Sequence, residues 1–391
     1  MINNTEKTEK PNRKKRVTAV CTVTSVVFFA IVFGVLALAI AIPDREKSES
    51  ENRVLKQFPS VSFSSIFDGS FMKNFETYFN DQFPFRDKLI GFKTDFERAL
   101  GKTNENGVYI GKDGFLFEAP AKADKKKLTE LTNAIAAFSK SNRKLKRAFI
   151  LSSNSSDILT DKLPTALSLP DRSWAFKTVQ KALSSFTWVD CKTTFEKRED
   201  KTELFYRTDH HWTTRAAYLA FKGLANAWGL DTKGKGYVYY TVSDSFRGTL
   251  SSSAAVNDAA DKIEICVPKK QAGKYTVLYE SSGRKTATLF ENEKLGQKNQ
   301  YEVFLGGNYD KVIISTTAET TATLLIFKDS YANCLIPMLT PYFSKIVVID
   351  PRYFSDSLKG VMSETQFTHV LFVYNMDTFL GDTSLAAALE S

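Results

Sequence analysis

The sequence predicts an α/β fold: a parallel sheet flanked by helices, with a small β-rich insertion and an N-terminal transmembrane helix. Three observations carry the prediction. Short unbroken apolar runs at 146–152 (KRAFILS), 322–327 (ATLLIF), 346–349 and 370–374 suit strands buried on both faces. They alternate with helix-period patterns at 126–142, 174–186 and 213–229. The chain is also long and apolar enough for a large core, with 391 residues, 43% apolar and 25% charged.

Residues 1–16 (MINNTEKTEKPNRKKR) carry six Lys/Arg against two Glu, and the 26 residues of 17–42 carry no charge. Such a run suffices for a helix to cross a bilayer. A cleaved signal peptide is the rival reading, because ALAIA resembles a small-residue cleavage site. Its apolar region would run only about 7–15 residues. The basic tail is expected to stay in the cytoplasm by the positive-inside rule, with everything after Pro43 outside. The expectation is therefore a single-pass protein of the cell membrane whose large domain is extracytoplasmic. Four units of the net charge of +9 belong to the tail, and the rest is spread thinly. That argues against a nucleic-acid partner. Of four cysteines, Cys21 lies in the apolar run, and Cys191, Cys266 and Cys334 are odd in number with no CxxC spacing. Neither a disulfide framework nor a zinc or thioredoxin motif is expected.

Residues 43–56 include the polar run DREKSESENR and read as a linker, a tether between membrane and domain. The domain proper is expected over 57–391. Phe71, Phe75, Tyr78 and Phe79 fall on one face of a helix, which Pro84 in DQFPFRD must interrupt before a second helix. VYIGKDGFLFE at 108–118 reads as a hairpin turning at Lys112-Asp113-Gly114. Thr213 is placed to cap the 213–229 helix and Gly229 to end it. The β-rich insertion spans about 236–323, with strands at 275–280 and 286–292, and is read as a sub-sheet beside the main domain. Residues 331–342 read as a helix that Pro337 kinks or breaks.

Two short stretches carry chemistry. In FKDSYANC, 327–334, a buried strand runs into Asp329-Ser330 and a helix begins at once. Open parallel sheets place their sites at the carboxyl ends of strands. A serine there is lifted clear, and its own N–H faces a developing anion. The same pattern alone equally suits a serine that merely caps a helix. The second stretch is YRTDHHWTTRAAY, 206–218, which holds two of the three histidines. A serine hydroxyl needs a base, imidazole has a suitable pKa, and the imidazole needs an acceptor to fix its tautomer. Asp209 and His211, two apart in one tight turn, can supply acceptor and base together, with His210 pointing elsewhere. Two other readings stay open: Asp209, His210 and His211 as metal ligands, or as local hydrogen-bonding groups that cap the helix at Thr213.

YRTDHHWTTRAAY resembles the DHHW family, which is related to the alginate O-acetyltransferase proteins and similar to SGNH hydrolases. DGSFMKNFETYFNDQFPFRDKLI, GVYIGKDGFLFE, FLGGNYDKV, LLIFKDSYANCLIPML and KIVVIDPRYF support it, over roughly 52–382. The resemblance implies an SGNH-like fold in permuted order, with a triad of Ser330, His211 and Asp209 and no metal or other cofactor. It implies acetyl transfer to hydroxyls of an extracellular polysaccharide, or ester hydrolysis if water takes the acyl group. Because acetyl-CoA is cytosolic, it also implies a membrane-bound O-acyltransferase partner. Gly307, Asn308, Asn333 and Asn375 are the candidates for oxyanion donors, and Arg352 for a substrate contact. The alternative is a non-catalytic glycan-binding or cell-envelope scaffold protein, in which the triad does not assemble.

Overall fold

The computed structural model describes residues 13–48, 50–51, 53–165, 167–233, 236–269 and 274–391. Most of the basic tail, 1–12, lies outside them. The chain divides into two compact units, Met1–Lys93 and Thr94–Ser391.

The first unit opens with the helix Arg13–Ala41. Within Lys15–Ala41 the most apolar stretch of 18 residues has a mean hydropathy of 2.8, and none of it is buried in the protein. By length and composition this helix can cross a membrane. The expected loose tether after it is corrected. Lys47–Ser48 and Arg53–Val54 pair as an antiparallel ribbon, and its charges find partners far along the chain. Arg53 holds Asp81 through two bonds of 2.6 and 2.9 Å, Arg45 holds Asp87 at 2.9 Å, and Arg86 holds Glu51 at 2.7 Å. The Arg53 hydrogen bonds keep the buried Asp81 carboxyl down at about 2. The two helices form as read, Ser70–Gln82 and Arg86–Ala99, broken at Phe83-Pro84-Phe85. Phe71, Phe75 and Tyr78 gather around Phe58.

The second unit is built on an eight-stranded sheet. Its order is Arg284–Thr286, Tyr275–Tyr279, Lys311–Thr316, Lys345–Ile349, Thr323–Lys328, His369–Asn375, Lys146–Ser152 and Thr187–Val189. The last five are mutually parallel, and the first three join antiparallel. The sheet is thus mixed. The β-rich segment is not one sub-sheet beside the domain: three of its strands extend the main sheet. Tyr237–Phe246 and Asp261–Pro268 form a separate two-stranded ribbon. An apolar run looks the same whichever direction its neighbour takes, so the sequence pattern could not separate these cases. The strand read at 286–292 ends at Thr286.

Period-two alternation sends successive residues of the parallel strands to opposite cores. Leu324, Ile326, Ile346, Val348, Leu371 and Val373 face one core, which the helix Thr214–Trp228 covers with Ala217, Phe221 and Leu224. Leu325, Phe327, Val347, Phe372, Phe149 and Leu151 face the other, beneath Lys125–Ser141 and Ser173–Ala182. Thr213 caps and Gly229, at φ 65°, ends the first of these helices as expected. The 108–118 hairpin also forms, with Asp113 and Gly114 both at positive φ. The helix read at 331–342 is corrected to two 3₁₀ turns, Ser330–Cys334 and Ile336–Leu339. Pro337 supplies no N–H there, so an α ladder cannot run through.

Counted from Thr323–Lys328 as the first strand, the parallel strands lie in the doubly wound order 2-1-3-4-5, with the chain entering at the fourth. That order has its switch point between Thr323–Lys328 and His369–Asn375, where such sheets bind ligands at the carboxyl ends.

Candidate active site

Ser330 sits at that switch point, on the first residue of the turn after Thr323–Lys328. Asp329, fully buried, builds the turn. Its carboxylate accepts the Tyr331 N–H at 2.9 Å, the Asn375 N–H at 2.8 Å and the Asn375 side-chain amide at 2.6 Å. The N–H of Ser330 stands at the first position of the turn, where the turn itself supplies no acceptor.

The second half of the site comes from a turn pinned on every side. Phe205 and Trp212 bridge across it, and Thr213 N–H bonds Leu204 O at 2.9 Å. Asp261 gathers the N–H groups of Arg207 and Thr208 and the Thr208 hydroxyl, at 2.9, 2.8 and 2.6 Å. The buried Trp212 donates its indole N–H to Tyr331 O at 2.8 Å, and Tyr331 donates its hydroxyl to His210 O at 2.6 Å. Those two bonds lock the histidine turn to the serine turn.

The result is one hydrogen-bonded row. His211 Nδ1 lies 2.5 Å from Asp209 Oδ1, and His211 Nε2 lies 2.7 Å from Ser330 Oγ, a residue 119 positions away. The other Asp209 oxygen accepts the Thr249 N–H at 2.8 Å and hydroxyl at 3.0 Å. Burial pushes the Asp209 carboxyl up, but the His211 and His210 imidazoles and the Thr249 N–H outweigh it and hold Asp209 well below the usual carboxylate range. His211 is stacked on Tyr301, with centroids 3.7 Å apart and rings 12° from parallel, and the Tyr301 hydroxyl donates to Ser330 O at 3.2 Å. The expectation that His210 points elsewhere is corrected: its ring lies 3.9 Å from the His211 ring, its Nδ1 bonds Thr249 Oγ1 at 2.8 Å, and burial lowers its pKa. Sequence reading missed Thr249, Tyr301 and Asp261, which lie distant in the chain and in no motif. It also missed Gly248. A Cβ there would stand 2.3 Å from Asp209 Cβ and 2.4 Å from Oδ2.

The other predicted residues are engaged elsewhere. The Asn375 amide is turned to Asp329 and to Thr378 at 2.7 Å. Asn333 donates to Gly307 O at 3.2 Å and to Asn308 Oδ1 at 3.3 Å. Asn308 Oδ1 also accepts from the buried Lys328 at 2.7 Å. Arg352 pairs with Asp350 through bonds of 2.8 and 2.7 Å. Asp209, His210 and His211 each offer a ligand atom within 4.8 Å of the others. Yet His211 Nδ1 and Asp209 Oδ1 stand 2.5 Å apart, at hydrogen-bond distance, whereas two ligands on a tetrahedral ion with bonds of about 2 Å would stand about 3.3 Å apart. The trio is a hydrogen-bonded row rather than a cage.

Asp329 yields a pH test. Burial raises its carboxyl to about 6 against the N–H donors that pull it down. The unfolded chain ionises near pH 4 and the folded chain only near 6, so stability falls as pH rises between them. Asp329→Asn is expected to remove that slope, read as urea midpoints at pH 4 and 7. An unchanged difference between the two midpoints would contradict the assignment.

Residues 108–308, just over half of the chain, match the family model of the SGNH hydrolase-like domain, acetyltransferase AlgX. The chain belongs to this family. The match holds Asp209 and His211 and ends before Ser330. No curated protein matches the chain. Among solved structures, a DHHW family protein from Eubacterium siraeum DSM 15702 is similar at a TM-score of 0.60 and 20% identity, over 73% of this chain and 96% of that one. Bacillus cereus PatB1 with a sulfonyl adduct is similar at 0.60 and 19%, over 70% of this chain and 96% of that one. Both share the fold: the AlgX-type SGNH-like domain, a large mixed sheet flanked by helices.

Proposed function

We propose that this SGNH-like protein is a membrane-anchored, extracytoplasmic enzyme that transfers acetyl groups to hydroxyls of a cell-surface polysaccharide. The observation that carries the reading is the row Asp209–His211–Ser330, with contacts of 2.5 and 2.7 Å. Family membership and the single apolar helix support it.

Asp209 accepts from His211 Nδ1–H and leaves Nε2 as the base. His211 Nε2 takes the Ser330 proton while Oγ attacks the acetyl carbonyl. The Ser330 N–H steadies the oxyanion. His211 returns the proton to the leaving group, and acetyl-Ser330 remains. A sugar hydroxyl then gives its proton to His211 and takes the acetyl group, and His211 passes that proton to the departing Ser330 Oγ. Water in its place makes the same site an esterase. With the basic tail inside and the domain outside, acetyl must be handed across the membrane, the task of a membrane-bound O-acyltransferase partner.

The test uses the full chain with p-nitrophenyl acetate. Turnover is expected to persist in chelator and to stop on treatment with a sulfonyl fluoride, which would leave a sulfonyl group on Ser330. Loss of activity to chelator alone would favour a metal hydrolase. No turnover and no labelling would favour the non-catalytic scaffold.

A further inference from the structure

Several large apolar side chains of the first unit are exposed. Phe63 and Phe67 are 84% and 85% exposed and stack on each other. Leu89 and Phe92, three apart on one face of the helix Arg86–Ala99, are 50% and 72% exposed, and Phe85, just before that helix, is 59% exposed. Soluble surfaces seldom carry such a set without a partner. Phe85 also stands at φ 59°, where a bulky residue is strained. The backbone is bent to present it outward at the elbow between Ser70–Gln82 and Arg86–Ala99.

The chain says where this elbow is held. The apolar helix ends at Ala41, and three residues later the chain is tied to the elbow. Asp44 accepts the Tyr78 hydroxyl at 3.0 Å. Arg45 and Gln82 exchange two bonds of 2.9 Å, N–H to Oε1 and Nε2 to O, and Arg45 bonds Asp87 at 2.9 Å. Four extended residues reach at most about 14 Å, and the headgroup layer on one side of a bilayer is about 5–8 Å thick, so this tie lets the elbow lie within that layer. Ile42 and Pro43 share a cavity wall with Phe83, Pro84 and Phe85. Lys88 and Lys93, both exposed, flank Leu89 and Phe92, placed to reach lipid phosphates while their stems stay apolar.

We infer that the Phe83–Phe92 elbow, with Phe85, Leu89 and Phe92 as its anchors, lies in the lipid interface beside the point where the Arg13–Ala41 helix leaves the membrane. The inference rests on that helix spanning the bilayer. The occupant is the lipid surface itself, because the patch is continuous with the span through the Arg45 bonds. The span and the elbow then form one two-point anchor, an apolar crossing followed by an amphipathic segment in the interface plane.

The test uses the full chain in phosphatidylcholine–phosphatidylglycerol nanodiscs with spin labels. Native Cys21 lies in the apolar helix and is exposed from the protein, while the other three cysteines are buried. A label on Cys21 reports the span. In a Cys21→Ser background, labels at Phe85→Cys, Leu89→Cys and Phe92→Cys report the elbow, and Glu76→Cys serves as the aqueous control. Oxygen is expected to relax Cys21 and the three elbow labels more strongly than a water-soluble nickel chelate, with the order reversed at Glu76→Cys. Lipid contact at Cys21 with aqueous readings at the elbow would overturn the inference and leave the span intact. Immobile elbow labels that neither reagent reaches would also overturn it, in favour of protein cover. An aqueous Cys21 would sink the span reading, and the inference with it.

Discussion

Ser330→Ala is expected to lower p-nitrophenyl acetate turnover about 10,000- to 1,000,000-fold, to the background of the buffer. The substitution removes one oxygen, the nucleophile of the proposed mechanism. The turn should survive it. Asp329 still accepts the Tyr331 and Asn375 N–H groups, and Trp212 still binds Tyr331 O. Ser330 is partly exposed, so water can replace the lost partner of His211. The melting temperature should therefore change little, as for other partly exposed sites. The measurement is initial rate and thermal melt on the same preparation. A variant that keeps about a tenth or more of the rate, with an unchanged melt, would remove Ser330 from the mechanism.

Gly248→Ala is expected to cost about 1,000- to 10,000-fold in rate, close to the loss when a triad acid is removed. Gly248 has no need of a left-handed backbone, since its φ is −81°. Space is what it supplies. The added Cβ would meet Asp209 Cβ at 2.3 Å, Oδ2 at 2.4 Å and Cγ at 2.7 Å. Asp209 must then move, and it can retreat only by leaving His211 Nδ1 or Thr249. Overpacking of this kind also costs about 1–3 kcal/mol of stability. Gly360→Ala is the control, since its added Cβ meets nothing closer than 3.8 Å. Equal activity in the two variants would contradict the role given to Asp209. Asp209→Asn should match Gly248→Ala in rate while sparing the fold.

What was legible in the sequence was what is local. Asp209 and His211 share one turn, so their chemistry shows in a few letters. Ser330 stands out only beside that turn, because a buried run that stops at Asp-Ser also suits a serine that caps a helix. The supports were not legible, because they come from far along the chain. Thr249 is 40 residues from Asp209, and Tyr301 is 29 from Ser330. Neither carries a local signal. The polar run after the apolar helix looked solvated for the same reason. Arg45 and Arg53 find Asp87 and Asp81 only once the helices fold back, 42 and 28 residues away. The antiparallel extension of the sheet was hidden because strand direction leaves no trace in an apolar run. The candidate row could thus be picked out from local residues, and the groups that hold it in place could not.

The most direct test of the central claim is the chemical state of Ser330 during turnover. The full chain is mixed with p-nitrophenyl acetate, quenched in acid within the first turnover, digested and examined by mass spectrometry. The account predicts one acetyl group on the peptide that contains Ser330, absent in Ser330→Ala. It also predicts that the group is lost on a chase with a polysaccharide acceptor or water. Ester turnover with no acetyl on Ser330, or with acetyl on another residue, would contradict it.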